Sequence, residues 1–409
     1  MSQKLIIVGG GAGGFFCAVN AAKMNPALEV TIIEKTGKLL SKVKVSGGGK
    51  CNITHACFDI DEMSKRYPRG SKFVRKAFHQ FFTTDTIKWF EEREVKLKTE
   101  PDGRMFPVTD SSQTIIDCLL KEVNKYGIRI MMNAEVSNIK YETGRFDIEL
   151  SDNRRLTADF VCVASGGYPK FSMFSWMQQL GHSIEEPVPS LFTFNIPDHS
   201  ITQLMGVSVE AVKVKIAGTK LEVTGPVLIT HWGLSGPAIL KLSSWGAREL
   251  ADAGYNFKVF INWLSDYNEQ SLTGRFRELR LGHASYKLKT KNPFGLPQRL
   301  WDFLLYSSFV EKEIRWAELP VKQQNNLIRN LCNCEFEVKG KSTFKEEFVT
   351  AGGVKLSEID PNTMMSKKIH NLYFAGEIMD VDAVTGGFNF QHAWTSGFIA
   401  AKTIADQVK

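Results

Sequence analysis

A chain of 409 residues, 43% hydrophobic and 23% charged, is too long for one compact core and too apolar for a disordered polymer, so two or three domains are expected. A formal net charge of +7 is modest for that length; it admits anionic ligands such as dinucleotides without pointing to nucleic acid. No apolar run approaches the ~20 residues a membrane helix needs, and the first residues lack the profile of a secretory signal, so a cytoplasmic protein is expected.

Lys4–Val8 is a short apolar run that reads as a strand and meets a run of six small residues, Gly9 to Gly14. Read as G-x-G-x-x-G, Gly9 makes the tight turn, Gly11 lets backbone approach a diphosphate, and Gly14 lets helix pack on strand. Ala12 and Gly13 open a helix over about residues 12–24, whose free N–H groups face the same phosphates. Leu28–Ile33 is a second strand ending in Glu34, twenty residues beyond Gly14 and followed by Lys35. A carboxylate at that tip is placed to accept hydrogen bonds from ribose hydroxyls.

Lys42 precedes a second glycine cluster, Ser46-Gly47-Gly48-Gly49-Lys50-Cys51-Asn52. Three successive glycines let a loop pass close to a flat ligand or a diphosphate. A nicotinamide dehydrogenase has no need of such a loop here, whereas an extended FAD must pass one on its way to the isoalloxazine. Cys51 and Cys57 enclose five residues, one more than the disulfide reductases use, so disulfide exchange is disfavoured. The seven scattered cysteines suit reduced thiols, and no set of Cys and His, including Cys332 and Cys334, has zinc-site spacing.

Several short strands are expected between Ile128 and Cys162, with turns at Thr143-Gly144 and Ser151–Asn153. A strand and glycine turn recur at Ala164-Ser165-Gly166. After Pro189 the pattern changes, with short strands predicted at Leu191–Ile196, Val207–Ile216, Leu221–Val223, Val227–Thr230 and Tyr255–Trp263. Residues 266–334 are helical in period, with a break at Asn292–Gly295. The domain division is then 1–190 and 346–409 for a discontinuous nucleotide-binding domain. An insert at 191–345 is divided into a β-barrel-like part, 191–263 with 334–345, and a helical part, 264–333.

Leu372–Ala375 reads as a buried strand stopping at Gly376-Glu377, a carboxylate able to reach a ribityl hydroxyl. Gly386-Gly387-Phe388-Asn389 then opens the last helix, whose N-terminus can stabilise negative charge on the flavin N1–C2 edge. With the Ser46–Thr54 loop, Gly103–Pro107 and Thr230–Pro237, the stretch Phe348–Ala401 resembles the YhiN/BaiN-like family of FAD-dependent oxidoreductases across the whole chain. The loop Lys170–Trp176 is shorter than in many relatives. The resemblance implies an α/β fold of glutathione-reductase type, a Rossmann-like FAD domain carrying an inserted small β-barrel and helical subdomain. It also implies a backbone contact from Val136 to adenine.

The flavin carries the redox chemistry. His231, before a Gly-Leu-Ser-Gly-Pro turn, is a candidate acid/base, and Arg104 a candidate for holding an anionic or carbonyl group. His392 is expected to pack at the core or the flavin edge. No second G-x-G-x-x-G follows a strand, so NAD(P)H is expected only as a transient reductant. The leading expectation is an NAD(P)H-linked reductase of an unsaturated small molecule. The alternatives are an oxygen-using amine oxidase and, less favoured, an RNA-acting flavoprotein, which the basic stretches Lys65–Lys76 and Lys287–Lys291 motivate but no RNA-binding motif accompanies.

Overall fold

The computed structural model describes residues 2–290, 292–342 and 349–408. Lys291, Phe348 and the expected domain boundary between residues 345 and 346 lie outside the described residues. The chain divides into two compact units, Met1–Ser190 with Lys345–Lys409, and Leu191–Phe344.

The first unit is built on five parallel strands: β1 (Lys4–Val8), β2 (Glu29–Ile33), β3 (Arg129–Met131), β4 (Phe160–Val163) and β5 (Leu372–Phe374), in the order β5-β4-β1-β2-β3. Leu5, Ile7, Ile32, Val161, Val163, Leu372 and Phe374 are buried, as expected of a parallel sheet covered on both faces. Helix α1 (Ala12–Met24) is buried from Gly13 to Ala22. It packs on the last helix, α2 (Phe388–Gln407), at a close crossing. A Cβ added to Gly397 of α2 would lie 2.7 Å from the Gly13 carbonyl oxygen, so only glycine allows that approach. A three-stranded antiparallel sheet (Val136–Glu142, Arg145–Leu150, Arg155–Ala158) branches off. Its hairpin turn carries Thr143 and Gly144 at φ 51° and 82°, the left-handed pair that a two-residue hairpin requires.

The second unit holds a seven-stranded sheet whose pairings are all antiparallel, together with the helices Glu269–Gly282, Gln298–Ser307 and Val321–Cys332. Trp263, Trp301 and Trp316 fill its core, and Trp301 Nε1 donates to the Leu288 carbonyl at 2.8 Å. The two strands expected at Leu221–Val223 and Val227–Thr230 are one strand, Glu222–Ile229. It passes Gly225 and Pro226 because its pairing with Ser208–Ile216 shifts register between Val209 and Val212. No helix among the described residues is long and apolar enough to cross a membrane.

Candidate functional site

The carboxyl ends of β1, β2, β4 and β5 gather most of the residues singled out in the sequence. Gly9 (φ 117°) turns where an added Cβ would sit 2.4 Å from the Ala164 carbonyl, and at Gly14 it would sit 2.1 Å from the Gly9 carbonyl. Both glycines are demanded by the protein's own packing. Gly11 differs: a Cβ there would meet nothing within 4 Å, and as N-cap of α1 it provides no side-chain cap. The start of α1 is thus open at Gly11 and carries N–H groups without an intrahelical acceptor, while Gly13 packs against Ala375 and Gly376.

Glu34 is held at the tip of β2 by both carboxylate oxygens. Oε2 accepts from the Gly10 N–H at 2.9 Å, and Oε1 from the Thr36 N–H at 2.9 Å and hydroxyl at 2.8 Å. Oε2, with one bond, keeps acceptor capacity for a further donor. Lys35 lies 5.4 Å from the centre of the Tyr168 ring. Ala134 donates to the Glu34 carbonyl at 2.8 Å, which brings Val136, the first residue of the branching sheet, close to the same tip.

Along the opposite edge, Lys42 pairs with Glu377 at 2.5 Å, and Glu377 also accepts from the Thr350 N–H at 2.8 Å. The helical turn that begins at Ser41 loses helical geometry at Ser46, Gly47 and Gly48. Gly47 packs on Phe106, while Gly48 and Gly49, at φ 67° and 87°, have open space where side chains would be. Cys51 is fully buried, and burial pushes its thiol up to about 12 against an opposing bond from Ser46, so no thiolate forms there at neutral pH.

The segment after that loop clamps the start of α2. In the side-chain orientation that satisfies both groups, the Asn52 amide oxygen accepts from the Gly387 N–H at 2.9 Å. Thr54 donates to Gln391 at 2.7 Å, and Trp394 donates to the Ile53 carbonyl at 3.0 Å. His55 Nδ1 donates to the Gly386 carbonyl at 3.0 Å while its ring stacks on Phe388. Gly387 is required because a Cβ would lie 2.5 Å from the Thr54 carbonyl, so the crowding there comes from the clamp. Asn389 ties back to Ala383 through both amide atoms. The N–H groups of Phe388, Asn389 and Phe390 have no acceptor among the described residues.

Three buried polar side chains near this end make no ordinary hydrogen bond: Ser165 Oγ, Thr350 Oγ1 and the His392 ring. Ser165 has the Tyr168 hydroxyl as neighbour, and Gly166 beside it is open at φ 75°. A Cβ at Gly167 would meet Thr350 at 2.6 Å and Glu377 at 2.8 Å. Asp382, fully buried, pairs with Arg69 and accepts from Ser190 Oγ at 2.8 Å. Burial pushes its carboxyl up, and Arg69 opposes this. A fixed carboxylate, two open helix starts, open glycines and orphaned buried donors and acceptors suit an extended dinucleotide carrying a polar ring system.

Of the two acid/base candidates, Arg104 is the register partner of His55 in the clamp, and His231 belongs to the second unit. Arg104 is half-exposed and held by Asp102 at 2.7 Å. His231 is exposed in a tight turn of the second unit, its ring 4.5 Å from Trp232, with no hydrogen-bond partner among the described residues. Thr350, His55 and Asp382 were missed by sequence reasoning. Thr350 opens the Thr-Ala-Gly-Gly-Val run and His55 follows the triple-glycine loop, so position alone could have drawn notice to both.

Comparison with known proteins fits this geometry. The chain is 27% identical over 414 residues to the 3-dehydro-bile acid delta(4,6)-reductase of Clostridium scindens, covering 99% of this chain and 100% of that one. It is 29% identical over 423 residues to the ribosomal RNA dihydrouridine synthase of Haemophilus influenzae, covering 100% of both. Among solved structures, the 3-ketosteroid-delta4-(5alpha)-dehydrogenase of Rhodococcus jostii RHA1 matches the fold with a TM-score of 0.53 at 11% identity, over 99% of this chain and 97% of that one. Residues 3–403 match the family described as HI0933-like protein Rossmann domain, and the chain belongs to that family.

Proposed function

We propose that this chain is a flavoenzyme that holds FAD non-covalently in its parallel-sheet unit and reduces a carbon–carbon double bond conjugated to a carbonyl. The observation that carries the reading is the alignment of Glu34, two open helix starts and the orphaned polar groups around Gly376 at the carboxyl ends of one sheet. FAD presents ribose hydroxyls, a diphosphate and a polar flavin edge, which those groups complement. In this reading Glu34 accepts from the ribose, the start of α1 with Gly11 holds phosphate, and Ser46–Gly49 lines the path of the ligand. Glu377, fixed by Lys42 and Thr350, accepts from the ribityl chain. The free N–H groups of Phe388 and Asn389 hold the N1–C2 edge, fixed in advance by the Asn52–His55 clamp. Bound FAD supplies two-electron transfer; the protein residues bind, orient and polarise.

The full-length relatives support the substrate class. A bile-acid delta(4,6)-reductase and a dihydrouridine synthase are both named for saturating a double bond next to a carbonyl. A uridine of RNA is the second substrate reading, favoured by that second name. NAD(P)H is the proposed reductant, visiting transiently, since the second unit is built on an antiparallel sheet and offers no second dinucleotide turn among its described residues. His231, exposed and unpartnered, is the better candidate proton donor to substrate, because Arg104 is already held by Asp102.

The test is anaerobic reduction of the purified yellow protein with NADH and NADPH, followed by separate additions of a conjugated steroid enone, a uridine-containing RNA, and an amine with oxygen. Reoxidation by the enone supports the first reading and reoxidation by RNA the second. Flavin reduction by amine alone would replace both, and FMN or no flavin on heat release would overturn the cofactor assignment.

A further inference from the structure

His392 lies one turn into α2 and is 2% exposed, yet neither ring nitrogen makes an ordinary hydrogen bond among the described residues. A phenyl ring would fill such a site without burying two unsatisfied nitrogens, so the imidazole needs a reason other than packing. The group that interacts with the ring is the Gly376 backbone, at the turn that leads into Glu377. The same helix begins with free N–H groups four residues earlier.

The surroundings of His392 carry no compensating charge. From Phe388 to Ala401 it is the one titratable residue of α2, and between Ala12 and Ala22 the helix α1, packed against it, carries one titratable group, Cys17, whose thiol is pushed well up by its bond to Cys162 and by burial and so stays uncharged. On the turn facing it, Glu377 is committed to Lys42 and Thr350. Nearby on the chain, Asp382 is committed to Arg69. On the other elements packed against α2, His55 is bonded to Gly386, Asp85 accepts from the Phe82 N–H, and Arg75 pairs with Asp61. Burial holds the imidazole neutral, down to about 4, with the Gly376 backbone opposing. Negative charge arriving at the start of α2 would be the one new term able to reverse that balance.

We propose that His392 takes up one proton from solvent for each two-electron reduction of the flavin held at the start of α2, so that the buried charge is neutralised within the protein. This rests on the flavin reading above. Two electrons and one proton go to the flavin, leaving it with one negative charge; the second proton goes to His392, which becomes imidazolium. NAD(P)H or an electrode supplies the electrons, and reoxidation by substrate returns the proton.

The experiment uses the FAD-loaded protein, with bound flavin first counted by its absorbance. Loss of flavin in the unaltered protein would refute the cofactor reading and is thereby distinguished from failure of this one. The flavin midpoint potential is then titrated from about pH 6 to about pH 8 for the unaltered protein, His392→Phe and His392→Gln. The expected result is two protons per two electrons in the unaltered protein and one in both variants, halving the pH slope. One proton in the unaltered protein, or two in the variants, overturns the proposal. If either variant loses FAD, the other decides, and a proton-uptake count on photoreduction of the unaltered protein must still give two.

Discussion

The two ends of the proposed cofactor site are built on opposite plans. At the Glu34 end the carboxylate is already fixed, because Gly10 and Thr36 hold it in place before any ligand arrives. At the Gly376 end, Thr350 and His392 are buried without partners. The first end gains affinity from preorganisation. The second holds polar groups whose burial costs free energy in the unliganded protein, and that cost is relieved only when a ligand supplies partners. Binding at the second end should therefore be tied to stability, and at the first it should not.

Glycines test this most severely. Gly14→Val places a side chain against the Gly9 carbonyl at 2.1 Å and should cost about 3 kcal/mol or more, leaving little soluble protein. Gly11→Ala should leave the flavin-free melting temperature unchanged, since its Cβ meets nothing within 4 Å, yet lower FAD affinity at least tenfold. Equilibrium dialysis and thermal denaturation separate the two outcomes; a Gly11→Ala protein that keeps full affinity would remove the diphosphate from the start of α1.

Glu34→Ala is the next largest effect. Weakened FAD binding by about 1–3 kcal/mol is expected from loss of the ribose acceptor, with Glu34→Gln in between. Water can reach the Gly10 and Thr36 donors once the side chain is gone, so the flavin-free protein should melt nearly as before. Full FAD retention after dialysis would sever Glu34 from the ribose.

Thr350→Val should behave in the opposite sense. Replacing an orphaned buried hydroxyl with a methyl of similar size should leave the flavin-free protein as stable or slightly more so. FAD affinity should fall by about 1 kcal/mol. Destabilisation of the flavin-free protein would mean that Thr350 already has a partner there, and the contrast between the two ends would fail.

Legibility in the sequence followed the same division. Gly9, Gly11, Gly14 and Glu34 belong to one βαβ unit whose backbone needs are local, so spacing alone identified them, and the α/β fold followed. His55 meets Gly386 across 331 residues of sequence, and Thr350 meets Glu377 on a separate turn. No local pattern carries such pairings; Thr350 sits on a strand paired with Ile184–Ser190 and His55 on one paired with Arg104 and Met105, so each contact is made by the tertiary fold. The strand Glu222–Ile229 was read as two because Gly225 and Pro226 break the local signal, while its neighbour supplies the continuity.

The smallest effect concerns acid, and it separates two buried histidines. Ser366 Oγ accepts from the Lys368 and Ile369 N–H groups, so it donates to His182 Nε2 at 3.1 Å, leaving His182 Nδ1 to donate to Glu358 at 3.0 Å. Burial holds His182 below its ordinary value, with Glu358 opposing. Burial would raise Glu358, but bonds from Lys368, Ser183 and His182 outweigh it and bring it down to about 2. His392 is held down to about 4 by burial, with no acid partner at all. Because both histidines bind protons more weakly folded than unfolded, their contribution is complete well above about pH 6.5 and is lost as the pH falls from there toward the folded values. For His392 alone the loss between about pH 7 and about pH 6 is about 0.7 kcal/mol. Melting temperatures of the flavin-free protein should therefore fall over that interval, less steeply in His392→Phe. His182→Gln should also flatten the curve, but at the cost of the bonds to Glu358 and Ser366, so its melting temperature is lower throughout. If His392→Phe keeps the full acid dependence, the imidazole is not the group that resists protonation. The orphaned end of the site would then consist of hydroxyls alone.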